Sequence, residues 1–514
     1  MIPRTRMGMA WRFALCGVLL ISAVAATTAV AGLLQVKTIV GEISVNPGIS
    51  TKQIVLPKPG QPQTILLIGS DHRAGAPIRY ANTDTMLLVR LNANSSTINV
   101  MSIPRDLQVD IPGYGIQKIN AAYSEGGYGL LIKTIKANVF PNLHVNNIVD
   151  TNFTGFSDLV DAIGCVYSDV DRRYYNLSAP GPNNYSSIDV QPGYQKLCGD
   201  NQSPRGALPF VRFRHLDSDL VREARQQDFI RWAKDQFSVS KLLAERDRLL
   251  RIFGRHSTLD KGLQSEDGLL NLFALVLNSD ASTIHQVSFP ADLQPCTATS
   301  CVVTSNQSAE QDAFARFMAA TPKAATAAAN KAKVTPASLK GHKHLAKIPT
   351  GGLASDPGDG RTQAAALARA GMPVYYPRLI RAGSQYCMSV TGNCTSGGEP
   401  PEEFLHSYPR RYLLRDQQGR PHAAYRMTLV INSTLGEYYG VQGTTWTNPP
   451  LLRSPSGTRD IGGKKLLLYA NGGRLTTVAW HNGPFVYWIS NTLTSTIPNP
   501  QMIGIAASLT LASH

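Results

Sequence analysis

The sequence predicts an α/β fold in which helices flank a central β-sheet, with a smaller α+β domain at the C-terminal end. Alternation of strands and helices is characteristic of layered α/β architectures. Two kinds of segment alternate here: short apolar runs bounded by turn residues at 65–69, 85–91, 97–103 and 208–214, and helical patterns at 127–139, 155–163 and 222–237. Residues 241–320 are expected to be mainly helical, with a strand near 284–289. The length of 514 residues leaves room for two or three domains.

The N-terminal region carries a predicted membrane segment. Residues 13–34 contain no charge, follow Arg4, Arg6 and Arg12, and are long enough to cross a bilayer core of about 30 Å. The arginine flank predicts a cytoplasmic N-terminus and an extracytoplasmic remainder, so that the protein is a single-pass protein of the cell membrane. We interpret the run as an uncleaved signal anchor, and a signal peptide cleaved after Ala31 is the alternative.

Changes in composition divide the rest of the chain. The predicted segments are a cytoplasmic N-terminus at 1–12, the signal anchor at 13–34, a stalk at 35–62, the main α/β domain at 63–320, an Ala/Lys/Pro-rich linker at 321–360 and the C-terminal α+β domain at 361–514. Within the last of these we expect a helix at 362–371, strands at 425–432, 465–469 and 474–480, and a final helix at 499–511. Polymer or wall recognition is a hypothesis for this domain.

Four aromatic residues of the C-terminal domain allow two interpretations. Trp446, Trp480, Tyr487 and Trp488 are able to stack on sugar rings, but aromatic side chains at strand spacing more often belong to a core. The core interpretation needs no ligand, and we prefer it.

Cysteine usage agrees with export. Outside the apolar N-terminal run there are six cysteines, and the local pairs 165/198, 296/301 and 387/394 would each close a short loop. Such disulfides form outside the cytoplasm. Six cysteines allow 15 pairings, so the sequence leaves the connectivity open. No cysteine and histidine spacing is typical of a zinc site.

The charge balance points to an anionic partner. There are 50 Lys and Arg residues against 35 Asp and Glu, a net charge of +15, which favours phosphates, anionic lipids or acidic polymers. Six lysines of this surplus lie in the predicted linker. Together with the predicted export, this argues against nucleic acid as the partner.

Carboxylates stand at the ends of two predicted strands. Asp71 and Arg73 follow the first strand in IGSDHR, and Asp84 opens the second in NTDTMLLV. Two carboxylates that enter neighbouring strands from one side suit a hard divalent cation such as Mg²⁺, together with substrate phosphates. The alternative is that each aspartate caps a turn.

Arginines follow at further strand and helix ends. Arg105 and Asp106 lie in SIPRDLQVDIPG, and Lys118 lies in QKINAAYSEGG at the entrance of a helix. Later, Arg212 and Arg214 are spaced by two on a predicted strand, and Asp219 precedes a helix that carries Arg222 and Gln226. Guanidinium groups are natural phosphate partners. Surface salt bridges to Asp217, Asp219 and Glu223 are the alternative.

The reaction class follows from what accompanies these groups. The sequence has no GxSxG, Walker or HExxH motif, so nucleophilic catalysis is not indicated. Carboxylates combined with arginines favour metal-assisted phosphoryl chemistry on a pyrophosphate.

Six motifs in this order, between Thr64 and Trp232, resemble the LytR-CpsA-Psr (LCP) family of Gram-positive and actinobacterial envelopes. They are IGSDHR, NTDTMLLVRL, SIPRDLQVDIPG, KINAAYSEGG, NFTGFSDLVDAIGCV and FVRFRHLDSDLVREARQQ. The resemblance implies a signal-anchored exported enzyme with an LCP-type central mixed β-sheet flanked by helices. It also implies transfer of a glycopolymer from a polyprenyl (undecaprenyl or decaprenyl) pyrophosphate carrier to peptidoglycan, commonly to a muramoyl C6 hydroxyl.

The resemblance also implies roles for individual residues. Asp71 and Asp84 correspond to the ligands of Mg²⁺ (or Mn²⁺). The implied pyrophosphate clamp is Arg105, Arg212 and Arg214, with Arg222 and Gln226 beside them and Asp219 orienting arginines or a metal-bound water. Beyond the resemblance, Arg73 and Lys118 are further candidate pyrophosphate ligands; the candidate catalytic residues are Arg105, Asp106 and Asp219, and either aspartate is a candidate proton acceptor. One departure is Asn82, where many members have arginine; Arg79 lies nearby.

A second functional class remains open beside the enzyme. A non-catalytic envelope protein that holds polyprenyl phosphate or wall polymer, as an attenuator or regulator, would also need arginines. The pair Asp71 and Asp84 favours the enzyme, since a pure anion binder has little use for carboxylates among its arginines.

Overall fold

The computed structural model describes the parts of the chain that form two compact units. The described residues are 49–50, 52–56, 58, 60–70, 83–92, 97–176, 187–200, 203–213, 217, 219–236, 248, 252, 256–265, 267–268, 284–293, 302–319, 348–389, 394, 404, 406–471 and 473–512. The first unit comprises described residues of 1–164, 199–201 and 237–336, and the second those of 165–198, 202–236 and 337–514.

The strands and helices of these residues are numbered in chain order. The strands are β1 (Gln63–Ser70), β2 (Thr83–Asn92), β3 (Thr97–Ser102), β4 (Gln108–Ile111), β5 (Gly115–Lys118), β6 (Asn147–Asn152), β7 (Val166–Val170), β8 (Tyr174–Asn176), β9 (Ile188–Val190), β10 (Gly193–Leu197), β11 (Ser257–Leu259), β12 (Ile284–Gln286), β13 (Ala291–Leu293), β14 (Val303–Ser305), β15 (Leu353–Ser355), β16 (Tyr375–Pro377), β17 (Leu379–Arg381), β18 (Gln385–Tyr386), β19 (Arg410–Arg415), β20 (Pro421–Asn432), β21 (Glu437–Thr444), β22 (Gly457–Ile461), β23 (Lys464–Asn471), β24 (Arg474–Asn482), β25 (Phe485–Ser490) and β26 (Leu509–Leu511). The helices are α1 (Ala121–Asn138), α2 (Phe153–Ile163), α3 (Ala207–Arg212), α4 (Asp219–Gln236), α5 (Gln307–Met318), α6 (Pro357–Ala366) and α7 (Asn499–Ala507).

The first unit is built on a mixed six-stranded sheet in the order β11-β6-β1-β2-β3-β12. Strand β1 lies at its centre, parallel to β6 and antiparallel to β2. Its apolar residues are buried almost completely, as are facing residues of α1 such as Leu131 and Ile132. This confirms the predicted central mixed sheet with helices, because the continuous apolar runs read from the sequence belong to strands that are covered by other elements.

The second unit contains a large antiparallel sheet, whose strand order is β18-β20-β21-β25-β24-β23-β22, with β19 also paired to β20. Helix α7 contributes Met502, Ile503 and Ile505 to the core on this sheet. The same unit contains β7 to β10, α3 and α4. Two segments from the middle of the chain are thus folded together with the C-terminal residues.

Most predicted elements are confirmed, with ends moved by a few residues, but two predictions were wrong. Residues 207–212 form helix α3 instead of a strand, because a run of four buried residues from Leu208 to Val211 fits either element. Pro209 is compatible with the first turn of a helix. The final helix ends at Ala507, and 509–511 form strand β26. Within 241–320, the described residues include four short strands and the longer helix α5, and much of the region that was expected to be helical lies outside the described residues.

Two of the three suggested disulfides are present. Cys165 is bonded to Cys198, and Cys387 to Cys394. Cys296 and Cys301 lie outside the described residues. Both bonds join cysteines that are neighbours in the order of the chain, as the sequence suggested.

The aromatic residues of the C-terminal sheet confirm the core interpretation. Trp446, Tyr487 and Trp488 are buried, and Trp480 is partly buried against the same core, with its ring 5.0 Å from that of Tyr375.

The predicted signal anchor at 13–34 lies outside the described residues, as does most of the linker. Among the residues that are described, no helix combines the length and apolar character needed to cross a membrane.

Candidate active site

The carboxyl end of β1 is the first part of the candidate site. Gly69 pairs with Thr85 and Ser70 with Thr83, so Asp84 is the extra residue of a β-bulge opposite the Gly69–Ser70 step. Bulges bend a strand and re-aim the side chains that it carries. Asp71 is the next residue after Ser70; it and Arg73 lie outside the described residues. The strand register therefore places the backbone of Asp84 next to Thr83, the partner of the residue that immediately precedes Asp71.

A buried carboxylate that the sequence analysis missed lies beside this strand end. Asp150 on β6 is 4% exposed, and Ser70 Oγ donates a hydrogen bond to its Oδ1 at 2.8 Å. The hydroxyls of Tyr123 and Tyr128 both donate to its Oδ2, each at 2.7 Å. Hydrogen bonds of this kind favour the ionised form of a carboxyl group. The available signal was an aspartate inside an apolar strand, since buried carboxylates require partners.

A break in helix α1 brings the two tyrosines to the same oxygen. Gly126 and Gly127 have non-helical backbone angles, and Gly127 adopts φ 63° and ψ −157°, a region that residues with a Cβ avoid. Burial, followed by the charge of Asp150, raises the pKa of both Tyr123 and Tyr128. Both hydroxyls therefore stay protonated and act as donors.

Arg105 and Lys118 lie around a second buried carboxylate, Asp106. Lys118 Nζ is 2.9 Å from Asp106 Oδ1, and Arg105 Nε is 3.8 Å from Oδ2. The hairpin of β4 and β5 returns the chain so that Lys118 lies opposite Gln108, and the Asn120 amide donates to the Arg105 carbonyl. Asp106 is 2% exposed. The carboxylate of Asp106 can therefore orient the side chains of both Arg105 and Lys118.

The predicted site residues of the second unit that the structure describes lie on two consecutive helices, α3 and α4. Arg212 ends α3, while Arg222 and Gln226 are one turn apart on α4. Gln226 Nε2 donates to the Val211 carbonyl at 3.1 Å. Arg214 lies outside the described residues, and for Asp219 the structure describes only its position as the first residue of α4. The same-face pairing expected of Arg212 and Arg214 on a strand does not apply, because Arg212 is helical.

Arg225 on α4 links this helix to the end of α3. It is completely buried, and its Nη1 donates to the carbonyls of Phe210 at 3.1 Å and Phe213 at 2.7 Å. Its Nη2 contacts Asp217, which also accepts from Arg172 Nη2 at 2.7 Å. Asp217 is therefore a partner of arginines, as the salt-bridge alternative supposed, but inside the unit and not on its surface.

The LytR_cpsA_psr family matches residues 30–316, more than half of the chain. The chain belongs to this family. The match contains every predicted site residue, from Asp71 to Gln226, and it ends before the C-terminal sheet. It includes strands of the first unit as well as α3 and α4 of the second.

Individual family members are related at moderate identity. TagT of Bacillus subtilis (strain 168), named a polyisoprenyl-teichoic acid–peptidoglycan teichoic acid transferase, is 30% identical over 225 residues, 43% of this chain and 67% of TagT. Regulatory protein MsrR of Staphylococcus aureus (strain COL) is 32% identical over 174 residues, 34% of this chain and 48% of MsrR. The crystal structure of B. subtilis TagT is 23% identical and covers 52% of this chain and 97% of that chain, with a TM-score of 0.37. The chain thus spans between about half and two thirds of the length of these curated relatives.

Proposed function

We propose that this protein is a cell-wall ligase that transfers a glycopolymer from a polyprenyl (undecaprenyl or decaprenyl) pyrophosphate carrier to peptidoglycan, assisted by Mg²⁺. The observation that carries the proposal is the strand pair described above, in which Asp84 is the bulge residue next to Thr83, the partner of Ser70, and Ser70 directly precedes Asp71. Membership of the family, and the transferase name of the relative TagT, support the same reaction class.

The carboxylates of Asp71 and Asp84 fit a magnesium or manganese ion by their donor chemistry, since hard cations prefer carboxylate oxygen ligands and substrate phosphates. The position of Asp84 supports this assignment, because the strand register brings its backbone close to Ser70, the residue that precedes Asp71. When bound, the ion supplies positive charge to the departing pyrophosphate.

The cations of the chain bind and neutralise the same leaving group. Arg105 and Lys118, both oriented by Asp106, are proposed to contact phosphate oxygens. The further proposed ligands are Arg73, Arg212, Arg214, Arg222 and Gln226. Paired hydrogen bonds from guanidinium groups stabilise charge that develops on a phosphate as its bond breaks.

Transfer then requires one bond to form and one to break. If the acceptor hydroxyl oxygen attacks the anomeric carbon, the bond from that carbon to the phosphate oxygen breaks and polyprenyl pyrophosphate leaves. If it attacks the sugar-linked phosphorus, the bond from that phosphorus to the bridging oxygen breaks, the sugar phosphate is transferred and polyprenyl monophosphate leaves. The hydroxyl proton needs an acceptor. Since Asp106 is ion-paired with Lys118, we assign Asp106 to orienting the cations and Asp219 to accepting the proton.

The localisation belongs to the same proposal. A donor carried on a lipid and a peptidoglycan acceptor require a membrane-anchored protein whose bulk is extracytoplasmic. The two disulfides support an oxidising compartment.

Transfer of a radiolabelled glycan tests the function directly. Full-length protein is incubated with a short-chain polyprenyl pyrophosphate donor and a peptidoglycan oligomer, with and without Mg²⁺, beside the variants Arg105→Ala and Arg411→Ala. Arg411 is exposed on β19 and serves as the matched control. Metal-dependent product that is lost in Arg105→Ala and kept in the control is expected.

The name of the relative MsrR, a regulatory protein, favours a second candidate: a non-catalytic envelope protein that binds polyprenyl phosphate or wall polymer. Tight binding of the donor without product, over several donors and acceptors, would support this candidate and contradict the ligase.

A further inference from the structure

Three residues form a row across the middle of the C-terminal sheet. Arg426 on β20 lies directly opposite Gln442 on β21, which lies directly opposite Trp488 on β25. Each of the three is at most 1% exposed. Polar groups that are buried on one face of a sheet need partners, because desolvation without a hydrogen bond is costly.

Their common partner is the carboxylate of Asp169 on β7, which comes from the family-matched part of the chain. Arg426 Nη1 donates to Oδ1 at 2.9 Å and Gln442 Nε2 to the same oxygen at 2.6 Å. Trp488 Nε1 donates to Oδ2 at 3.1 Å. Arg426 Nη2 also donates to the carbonyl of Asp171 at 2.8 Å. Three neighbouring strands of the C-terminal sheet thus bind one strand of the family region.

Strand β7 is in turn bonded to the end of helix α4. The Tyr167 amide donates to Gln236 Oε1, and Gln236 Nε2 donates to the Tyr167 carbonyl, both at 2.7 Å. Gln236 is the last residue of α4. The C-terminal end of the helix that carries Arg222 therefore depends on the strand that carries Asp169.

The other end of α4 also packs on the C-terminal sheet. In the turn between β20 and β21, Gly436 adopts φ +65°, and a Cβ there would lie 3.0 Å from a methyl of Val221 and 3.5 Å from Asp217 Oδ1. The ring of Tyr438 lies 5.3 Å from the Arg172 guanidinium, which pairs with Asp217. Contacts at both ends hold the helix.

We propose that the C-terminal sheet is a scaffold for residues 202–236, and that Arg426 is a positioning residue for the arginines on α3 and α4. The sheet holds Asp169 through Arg426, Gln442 and Trp488, and Asp169 holds α4 through β7. The role of Arg212, Arg222 and Gln226 as pyrophosphate ligands rests on the proposed function. Residues 337–514 are then an integral part of the transferase and not a separable wall-recognition domain.

The test measures amide hydrogen exchange and probe binding in the full-length protein. The variant Arg426→Gln removes the charge that faces Asp169, and Arg411→Gln, which changes an exposed arginine of β19, is the control. In Arg426→Gln we expect exchange within 219–236 to become at least tenfold faster, with exchange in β1 and β2 unchanged. The Kd for farnesyl pyrophosphate and the KM for the donor should rise at least tenfold, while the KM for the acceptor stays the same.

Two milder variants keep the proposal falsifiable if Arg426→Gln does not fold. Trp488→Phe keeps an aromatic ring and loses one donor to Asp169, and Gly436→Ala adds a methyl group against Val221. Each should accelerate exchange in 219–236 by a smaller factor. Wild-type exchange and probe affinity in the folded variants would overturn the proposal. If wild-type protein binds no donor probe, the pyrophosphate function fails, and the exchange data still decide whether the sheet supports α4.

Discussion

The hydroxyl of Tyr128 donates a hydrogen bond to Asp150 Oδ2 at 2.7 Å, although Tyr128 follows a break in helix α1. Tyr123, on the other side of that break, donates to the same oxygen. A continuous helix would direct residues five positions apart to different sides. The break at Gly126 and Gly127 therefore lets one helix supply two donors to the carboxylate of Asp150 on β6.

Replacing Asp150 by asparagine should weaken both stability and metal binding. In the wild type the hydroxyls around Asp150 all donate to its carboxylate. In the variant the amide N–H group would face one or more of these donors, so we expect a loss of about 1–3 kcal/mol in the free energy of unfolding. Loss of the anion that accepts from Ser70, the residue before the proposed ligand Asp71, should also raise the Kd for Mn²⁺, followed by electron paramagnetic resonance. Asp460→Asn, on an exposed part of β22, is the control, and equal Mn²⁺ affinity in the two variants would contradict the expectation.

A side chain at Gly127 should lower the free energy of unfolding. Gly127→Ala places alanine in a backbone region that is essentially reserved for glycine, at an expected cost of about 1–3 kcal/mol. Gly457→Ala is a matched control, because the space around Gly457 is open and its φ is not positive. Urea denaturation of both variants measures the difference, and equal midpoints would show that the break in α1 does not need glycine.

Removal of the Lys118 charge should weaken binding of the pyrophosphate-linked donor substrate and leave binding of the acceptor substrate unchanged. Lys118 is half-exposed and ion-paired to Asp106, so Lys118→Met removes a proposed phosphate ligand and leaves the Asp106 carboxylate with one cation fewer. We expect a donor KM at least tenfold higher and an unchanged acceptor KM. Lys133→Met, at an exposed position of α1, should match the wild type, and a uniform loss in both variants would argue against a specific contact.

The stability of the protein should depend on pH through Asp228 on α4. Burial raises the pKa of Asp228 from 3.8 to about 6, against the lowering effect of Arg231 and with further raising effects of Asp169 and Asp171. A carboxyl with a raised pKa binds its proton more tightly in the folded state, so its contribution is present below about pH 4 and is lost as the pH rises to 6. At roughly 1.4 kcal/mol per pH unit, the loss is about 3 kcal/mol.

Urea denaturation between pH 3.5 and 7 checks this dependence. The variant Asp228→Asn should lack this part of the slope and be more stable than the wild type at pH 7. If the two proteins show parallel pH profiles, Asp228 does not titrate as its environment indicates.

Local patterns in the sequence determined much of the first unit. The apolar runs at 65–69 and 85–91 became the central pair β1 and β2, because a strand that is covered on both faces needs apolar residues at every position. The cysteine pairs 165/198 and 387/394 were likewise readable, because they close short loops. The order of the motifs was sufficient to identify the family, because that identification needs no spatial information.

Only the tertiary structure decided which charged residues are buried together. Arg225 on α4 donates to the carbonyls of Phe210 and Phe213 and so joins α3 to α4, a role that its place in the sequence does not indicate. Asp150 acquires its donors from β1 and α1, and Asp169 acquires Arg426 from a strand 257 residues away. The cost of burying a charge depends on partners brought by folding, and composition and periodicity do not encode partners that are far apart in the chain.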